Sequence, residues 1–244
     1  MRAAINLPGT EAGEARRRLP RNEDGSVTPG WVTGAAAMDV LACFGVPVLR
    51  GTEAYSAEEA GRLAEQIGGP VALKVLGRVQ KKKGRGVKLD LVGAPAVKAT
   101  YQAMQAGFGG AMTGALVQPM APGGGVETMV GGMQDPTFGP LVVFGPGGGA
   151  VAVQGDHVTR LAPLTDVEAM EMVTGLRGPG LFNGSGESPA VDLDAVTRVL
   201  HGVSRLVEAL PEVAEIDCNP VLATAEGALV LDARLRLDAG PVRH

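Results

Sequence analysis

Two stretches near the C-terminus, EIDCNP and LVLDAR, carry three oxygen-bearing side chains that a single chain reversal would bring together: Asp217, Asn219 and Asp232. Carboxylate and amide oxygens suit Mg²⁺, a hard cation that keeps several waters and shares its shell with substrate phosphates. Both stretches read as strands of one hairpin. Ordinary turn residues at two strand ends would use the same letters, and spacing alone does not separate the two accounts.

Lys74 stands inside the apolar run PVALKV. A lysine in a buried strand needs an anion to offset its desolvation, and a nucleotide phosphate or a structural carboxylate would each serve. Just beyond it, QKKKGRGVKL at 80–89 sets Lys81, Lys82, Lys83 and Arg85 around Gly84 and Gly86. Glycines allow close backbone approach and the cations favour polyphosphate, so the run reads as a phosphate-covering loop. A solvated charge cluster and a nucleic-acid patch are the competing readings. The second loses weight because 22 Lys and Arg against 26 Asp and Glu leave a net charge of −4, which argues against a nucleic-acid partner.

GPGGGA at 145–150 fits a weak dinucleotide fingerprint, but that motif needs a helix next, and VAVQGDHV alternates like a strand. A glycine-rich turn near a ligand is the better reading. No Gly-Lys pair exists, so Walker A chemistry is excluded, and HExxH, GxSxG and paired CxxC motifs are absent. His157, His201 and His244 are scattered. Cys43 and Cys218 each stand alone in apolar sequence, which implies buried thiols in a reducing compartment. With no apolar stretch of signal-peptide or membrane-span length, a cytoplasmic protein without a membrane partner is expected.

The elements that must position these residues follow from periodicity and punctuation. Residues 1–30, broken by Pro8, Pro20 and Pro29, read as a flexible arm. GAAAMDVLACFG reads as a short helix and VPVL as a strand. Ser56 and Glu59 form a capping box for a helix to Ile67, and Thr165 with Glu168 repeats the pattern for a helix near 166–174. Further helices are expected at about 95–106 and 192–209. Strands are expected at PVALKV, VKLDLV, ALVQPM, VETMVGGMQ, PLVVFG, AVAVQ, and the closing AEIDCNP, VLAT and ALVLDAR. Helices and strands mix without strict alternation, which favours an α+β fold of two subdomains over a doubly wound parallel sheet.

These elements in this order resemble the ATP-grasp nucleotide-binding subunit or domain of the NDP-forming acyl-CoA synthetases, relatives of the succinyl-CoA synthetase β subunit. The resemblance rests on GGPVALKV, GRGVKLDL, ALVQPMAPGGGVETMVGGMQDPTFGPLVVFGPGG, TRLAPLT and EIDCNPVLATAEGALVLDAR. It implies an ATP-grasp domain over 31–237, with a smaller lid-like subdomain at about 51–115 and a tail at 238–244. It further implies that ATP or ADP with Mg²⁺ is bound. Lys74 would contact the phosphates beneath the Gly84, Arg85 and Gly86 loop, the backbone from Gln118 to Met120 would meet the adenine edge, and Glu127 would face the ribose or the cleft wall. Asn219 and Asp232 match the Mg²⁺ ligands, with Asp217 beside them, and Arg160 is retained as a catalytic candidate.

The implied reaction is reversible formation of acyl-CoA from acid, ATP and CoA, with ADP and phosphate released. It requires a CoA-binding partner chain that carries a phosphohistidine. Two departures bear on turnover. Gln80, followed by Lys81, Lys82 and Lys83, stands where an HKSD-type stretch would put a second phosphoryl-carrying histidine, and Ala152 replaces a glutamate. A nucleotide-sensing module that does not turn over is the alternative that these departures suggest.

Overall fold

The computed structural model describes residues 11–77, 86–148, 156–176, 182 and 190–238. It divides into a larger unit, residues 1–48 and 123–244, and a smaller one, residues 49–122. The expected strand AVAVQ and the stretch from Gln80 to Arg85 lie outside the described residues.

The larger unit is built on a seven-stranded sheet. In chain order its strands are β1 (Gly30–Thr33), β6 (Val126–Asp135), β7 (Gly139–Pro146), β8 (Val158–Leu161), β9 (Val213–Thr224), β10 (Gly227–Val230) and β11 (Ala233–Leu237). The spatial order is β1-β11-β9-β6-β7-β8, and β10 extends the β11 side of β9. One face is covered by helices α2 (Gly34–Cys43), α5 (Asp166–Thr174) and α6 (Leu193–Ala209). Helix α6 folds because Val196, Val199, Leu200, Val203, Leu206 and Val207 recur at helical spacing and are all buried. Its first turn is capped by Asp192, which accepts from the Ala195 N–H at 2.9 Å. Thr165 and Glu168 close a full capping box at the head of α5.

The smaller unit is a four-stranded sheet, β2 (Thr52–Ala54), β5 (Met112–Pro119), β3 (Val71–Gly77) and β4 (Val87–Leu91), in that spatial order. Helices α3 (Ala57–Ile67) and α4 (Gly93–Phe108) bury one face over Val71, Leu73, Ala115 and Val117. Alternation along each strand therefore turns Ala72, Lys74, Leu116 and Gln118 to the other face. Ser56 caps α3 as expected, accepting from the Glu59 N–H, but the Glu59 carboxylate accepts from the Tyr55 N–H.

Two expectations give way. The N-terminal arm is not free along its described length: Glu11–Arg18 forms α1, and Ala12, Ala15 and Leu19 are buried in the large core. The small residues at positions 12 and 15 make a narrow apolar stripe that composition hides, and Arg16 ties it down by donating to Glu212 and to the Ala209 carbonyl. VPVL is not a strand. Only Val48 forms a bridge, to Val230, because Pro47 has no N–H to give and contributes only its carbonyl. Three short strands, β1, β2 and β8, have too little alternation to be read from sequence. No helix among the described residues is long and apolar enough to cross a membrane.

If α1 is part of the core, Leu19→Ala should cost about 2–5 kcal/mol in urea unfolding, as for other leucines truncated in a packed site. A mobile arm would leave the midpoint unchanged.

Candidate functional site

In the larger unit the register of β9 against the returning chain decides where the oxygens go. Cys218 pairs with Ala233 and Asp217 with Arg234. The next step along brings Asn219 opposite Asp232, where the Asn219 N–H donates to the Asp232 carbonyl at 3.0 Å. Cys218 and Ile216 point into the core, so Asp217 and Asn219 fall on the face opposite the one covered by α2, α5 and α6. Burial pushes the Cys218 thiol up, and it is inert as a ligand.

Glu127 joins the same site from β6. Gly148, just past β7, donates its N–H to Asn219 Oδ1 at 2.9 Å. Gly148 has φ +58, and a Cβ there would meet the Glu127 carboxylate, so the position favours glycine. The glycine-rich turn singled out in the sequence thus braces the amide of Asn219. Gly148 was not among the sequence candidates, although GPGGG marked its turn.

Asp217 is the most strained member electrostatically. Arg234 donates from Nε to Asp217 Oδ2 at 3.1 Å, and its Nη2 makes an ion pair with the same oxygen at 3.0 Å. The other oxygen, Oδ1, is buried with no hydrogen-bond partner among the described residues. Burial raises the Asp217 carboxyl above the ordinary aspartate range, Arg234 opposes this, and the nearby Glu215 and Asp232 charges add to the rise. An unpaired carboxylate oxygen, an amide oxygen and a second carboxylate on one face fit a hard divalent cation. Among the described residues no group of three or more His, Cys, Asp or Glu could hold a metal ion.

Arg160 is not brought to this face. Its strand partner Val142 lies in the core, so Arg160 points to the helix-covered side and pairs with Glu171 of α5 at 3.8 Å. Its retention in sequence gave no hint of facing.

In the smaller unit Lys74 is 8% exposed at the centre of the sheet, paired in register with Leu116 and Val87. Gln118 lies on the same face, opposite Ala72. Met120 donates its N–H to the Pro70 carbonyl at 3.0 Å and its sulfur accepts from the Asp90 N–H. Gly86 accepts from the Val75 N–H, which pins the end of the basic loop to Lys74's strand, while Gly84 and Arg85 lie outside the described residues.

The raised carboxyl of Asp217 has a consequence of definite sign. The folded chain holds this proton more tightly than the unfolded one, so the group's contribution to stability falls as pH rises through its titration, and the ionised form weighs against folding. Asp217→Asn should therefore leave the melting temperature of the ligand-free chain at pH 7 unchanged or higher, while weakening Mg²⁺-dependent nucleotide affinity by roughly 10–100-fold. A clear drop in melting temperature with unchanged affinity would make Asp217 a structural ion-pair residue.

Comparison with known proteins supplies the family. A family model described as an ATP-grasp domain matches residues 27–237. The ADP-forming acetate–CoA ligase I of Archaeoglobus fulgidus is 40% identical over 215 residues, covering 85% of this chain and 31% of that protein. The chain thus spans about a third of that relative's length. The beta subunit of ADP-forming acetate–CoA ligase I of Pyrococcus furiosus is 32% identical over 209 residues, covering 82% of this chain and 89% of the subunit. Among solved structures, dinucleotide-forming acetyl-coenzyme A synthetase 1 of Ca. Korarchaeum cryptofilum, in complex with coenzyme A, Ca-AMPCP and HgCl+, superposes with a TM-score of 0.80 at 34% identity, covering 85% of this chain and 93% of that one. Another structure of that protein, with coenzyme A and Mg-AMPPCP and its phosphohistidine segment pointing towards the nucleotide binding site, gives a TM-score of 0.72 at 33% identity over 87% and 93% of the two chains. From the hairpin that opposes Asn219 to Asp232 back to the sheet that buries Lys74, the chain belongs to the ATP-grasp family of nucleotide-binding domains, with the beta subunits of ADP-forming acetate–CoA ligases among its relatives.

Proposed function

We propose that this chain is the nucleotide-binding subunit of an ADP-forming acyl-CoA synthetase, holding Mg²⁺ with ATP or ADP and exchanging a phosphoryl group with a histidine on a CoA-binding partner chain. The observation that carries the reading is the opposition of Asn219 and Asp232 beside the unpartnered Oδ1 of Asp217. Asn219, Asp232 and Asp217 would hold the ion. Bound there, Mg²⁺ would neutralise charge on the phosphates as the phosphoryl group moves.

The protein's own part is positioning. Asn219 keeps its amide oxygen aimed by accepting from Gly148, and Asp232 is fixed by the ladder bond from its opposite strand. Glu127, exposed at the start of β6, presents a carboxylate beside the same turn. Lys74 supplies a cation from a buried strand, where charge acts in a lower dielectric than water. No side chain is asked to form a covalent intermediate, in keeping with phosphoryl transfer by orientation and charge neutralisation.

The partner is inferred from the relatives. The Pyrococcus protein is named as one subunit, and the Korarchaeum structure is described with a phosphohistidine segment directed at its nucleotide site. Gln80 is the residue behind the second reading, a module that binds nucleotide without turnover, which the relatives do not favour. The two readings agree on binding and differ on exchange.

Calorimetry in Mg²⁺ should find ATP binding that falls by roughly a hundredfold in Asn219→Ala and Asp232→Ala, each of which removes an ion ligand rather than a supporting contact. Affinity that is the same with a chelator present, and the same in both variants, would overturn the metal assignment. With the copurified CoA-binding chain, label from [γ-³²P]ATP should appear on the partner's histidine; its absence with nucleotide binding intact would favour the sensing module.

A further inference from the structure

Two arginines of β11 face the same side of the larger sheet and are held differently. Arg236 lies opposite Glu215 and is shared between two carboxylates, 3.4 Å from Glu215 Oε2 and 2.7 Å from Asp238 Oδ2. Arg234 lies opposite Asp217 and meets one carboxylate oxygen, Oδ2, with its Nε at 3.1 Å and its Nη2 at 3.0 Å. Where Arg236 has a second carboxylate, Arg234 has an indole: the Trp31 ring, its centroid 4.8 Å from Cζ. Trp31 is the sole tryptophan of the chain and stands half exposed on β1, at the end of the strand order.

A planar guanidinium stacked on a ring and forked onto one oxygen has little freedom to rotate. It fixes Asp217 by Oδ2 and takes nothing from Oδ1, which is buried with no hydrogen-bond partner among the described residues. On the other flank β6 brings no side chain, because Gly131 is the residue paired with Asp217 there. A Cβ at Gly131 would make only ordinary contacts, 3.5 Å from the Ile216 carbonyl oxygen and 3.7 Å from Val143 Cβ, so packing does not demand this glycine. Neither flanking strand therefore supplies Oδ1 with a donor. A second carboxylate on Arg234, as at Arg236, would add negative charge beside Asp217 and compete with it for the fork. An aromatic ring holds the cation without doing either.

We propose that Arg234 and Trp31 are positioning residues for the cation site. Trp31 steadies the guanidinium, the guanidinium holds Asp217 by Oδ2, and Oδ1 is left to the divalent ion that Asn219 and Asp232 bind. This rests on the nucleotide-binding reading above and goes beyond it by naming two residues that set the affinity for the ion through Asp217 rather than by touching it. Residues that orient a metal ligand commonly matter almost as much as the ligand itself.

Calorimetry on the full chain with ATP in Mg²⁺ tests this. Arg234→Gln should weaken Mg²⁺-dependent binding by roughly tenfold, the lower end of the loss expected when a metal ligand's support is removed. Trp31→Ala should weaken it by a smaller factor, and Trp31→Phe, which keeps a ring over the guanidinium, should restore it. In the Asp217→Asn background neither substitution should weaken binding further, because both act through that carboxylate. Unchanged or tighter binding in Arg234→Gln would overturn the proposal while leaving the nucleotide reading intact. So would a loss of the same size in the Asp217→Asn background, which a merely structural role would give. Trp31 is half exposed, so its two variants decide the matter should Arg234→Gln fold poorly. A wild-type chain that binds no ATP in Mg²⁺ would instead remove the nucleotide reading, and the proposal with it.

Discussion

One main-chain hydrogen bond, from the Asn219 N–H to the Asp232 carbonyl, fixes the register on which the candidate site of the larger unit depends. β9 is long enough to pair with β11 along its first half and β10 along its second. Asp232 sits in the gap between those two short strands, and Leu231 donates to the Pro220 carbonyl across the same gap. Slipping the register by one residue would turn Asp217 and Asn219 into the core and bring Cys218 out. Burying those oxygens without partners would cost far more than exposing a thiol gains, so the hydrophobic pattern and the functional pattern enforce each other.

The two faces of the larger sheet divide the work. The helix-covered face holds the fold through Val130, Val142, Phe144, Ile216 and Leu235, with α6 laid across it. The other face carries paired charges in rows, Asp217 with Arg234 and Glu215 with Arg236. The Arg234 guanidinium also lies over the Trp31 ring, 4.8 Å from its centroid. That arrangement neutralises one oxygen of Asp217 and leaves the other. The raised carboxyl of Asp217 means that its ionised form weighs against folding, as is common where charge sits in a partly buried place.

Much of this was legible in the sequence because the relevant signals are local. The capping residues Ser56 and Thr165, the amphipathic stripe of α6 and the strand run EIDCNP each act over a few residues, whereas the Asp192 cap of α6 was not read from the sequence. The expected hairpin of EIDCNP and LVLDAR brought Asp217, Asn219 and Asp232 together, and the alternating burial of β9 then sets Asp217 and Asn219 on one face. What escaped depends on contacts far apart in the chain. Arg160 looked like a site residue until its pairing with Val142 turned it to the helix side. Gly148 was one glycine among several until Asn219 and Glu127 closed around it. The helix at Glu11–Arg18 needs the large core to bury its two alanines, and nothing in its own polar composition announces that core.

The central claim is that Asn219 and Asp232, assembled by that register, hold the divalent ion of a nucleotide complex. Crystals grown with Mn²⁺ in place of Mg²⁺ and a non-hydrolysable ATP analogue would test it most directly through the anomalous signal of the metal. The account predicts a metal peak ligated by Asn219 Oδ1 and the Asp232 carboxylate, with phosphate oxygens completing its shell. A nucleotide-bound metal that touches neither residue would contradict it.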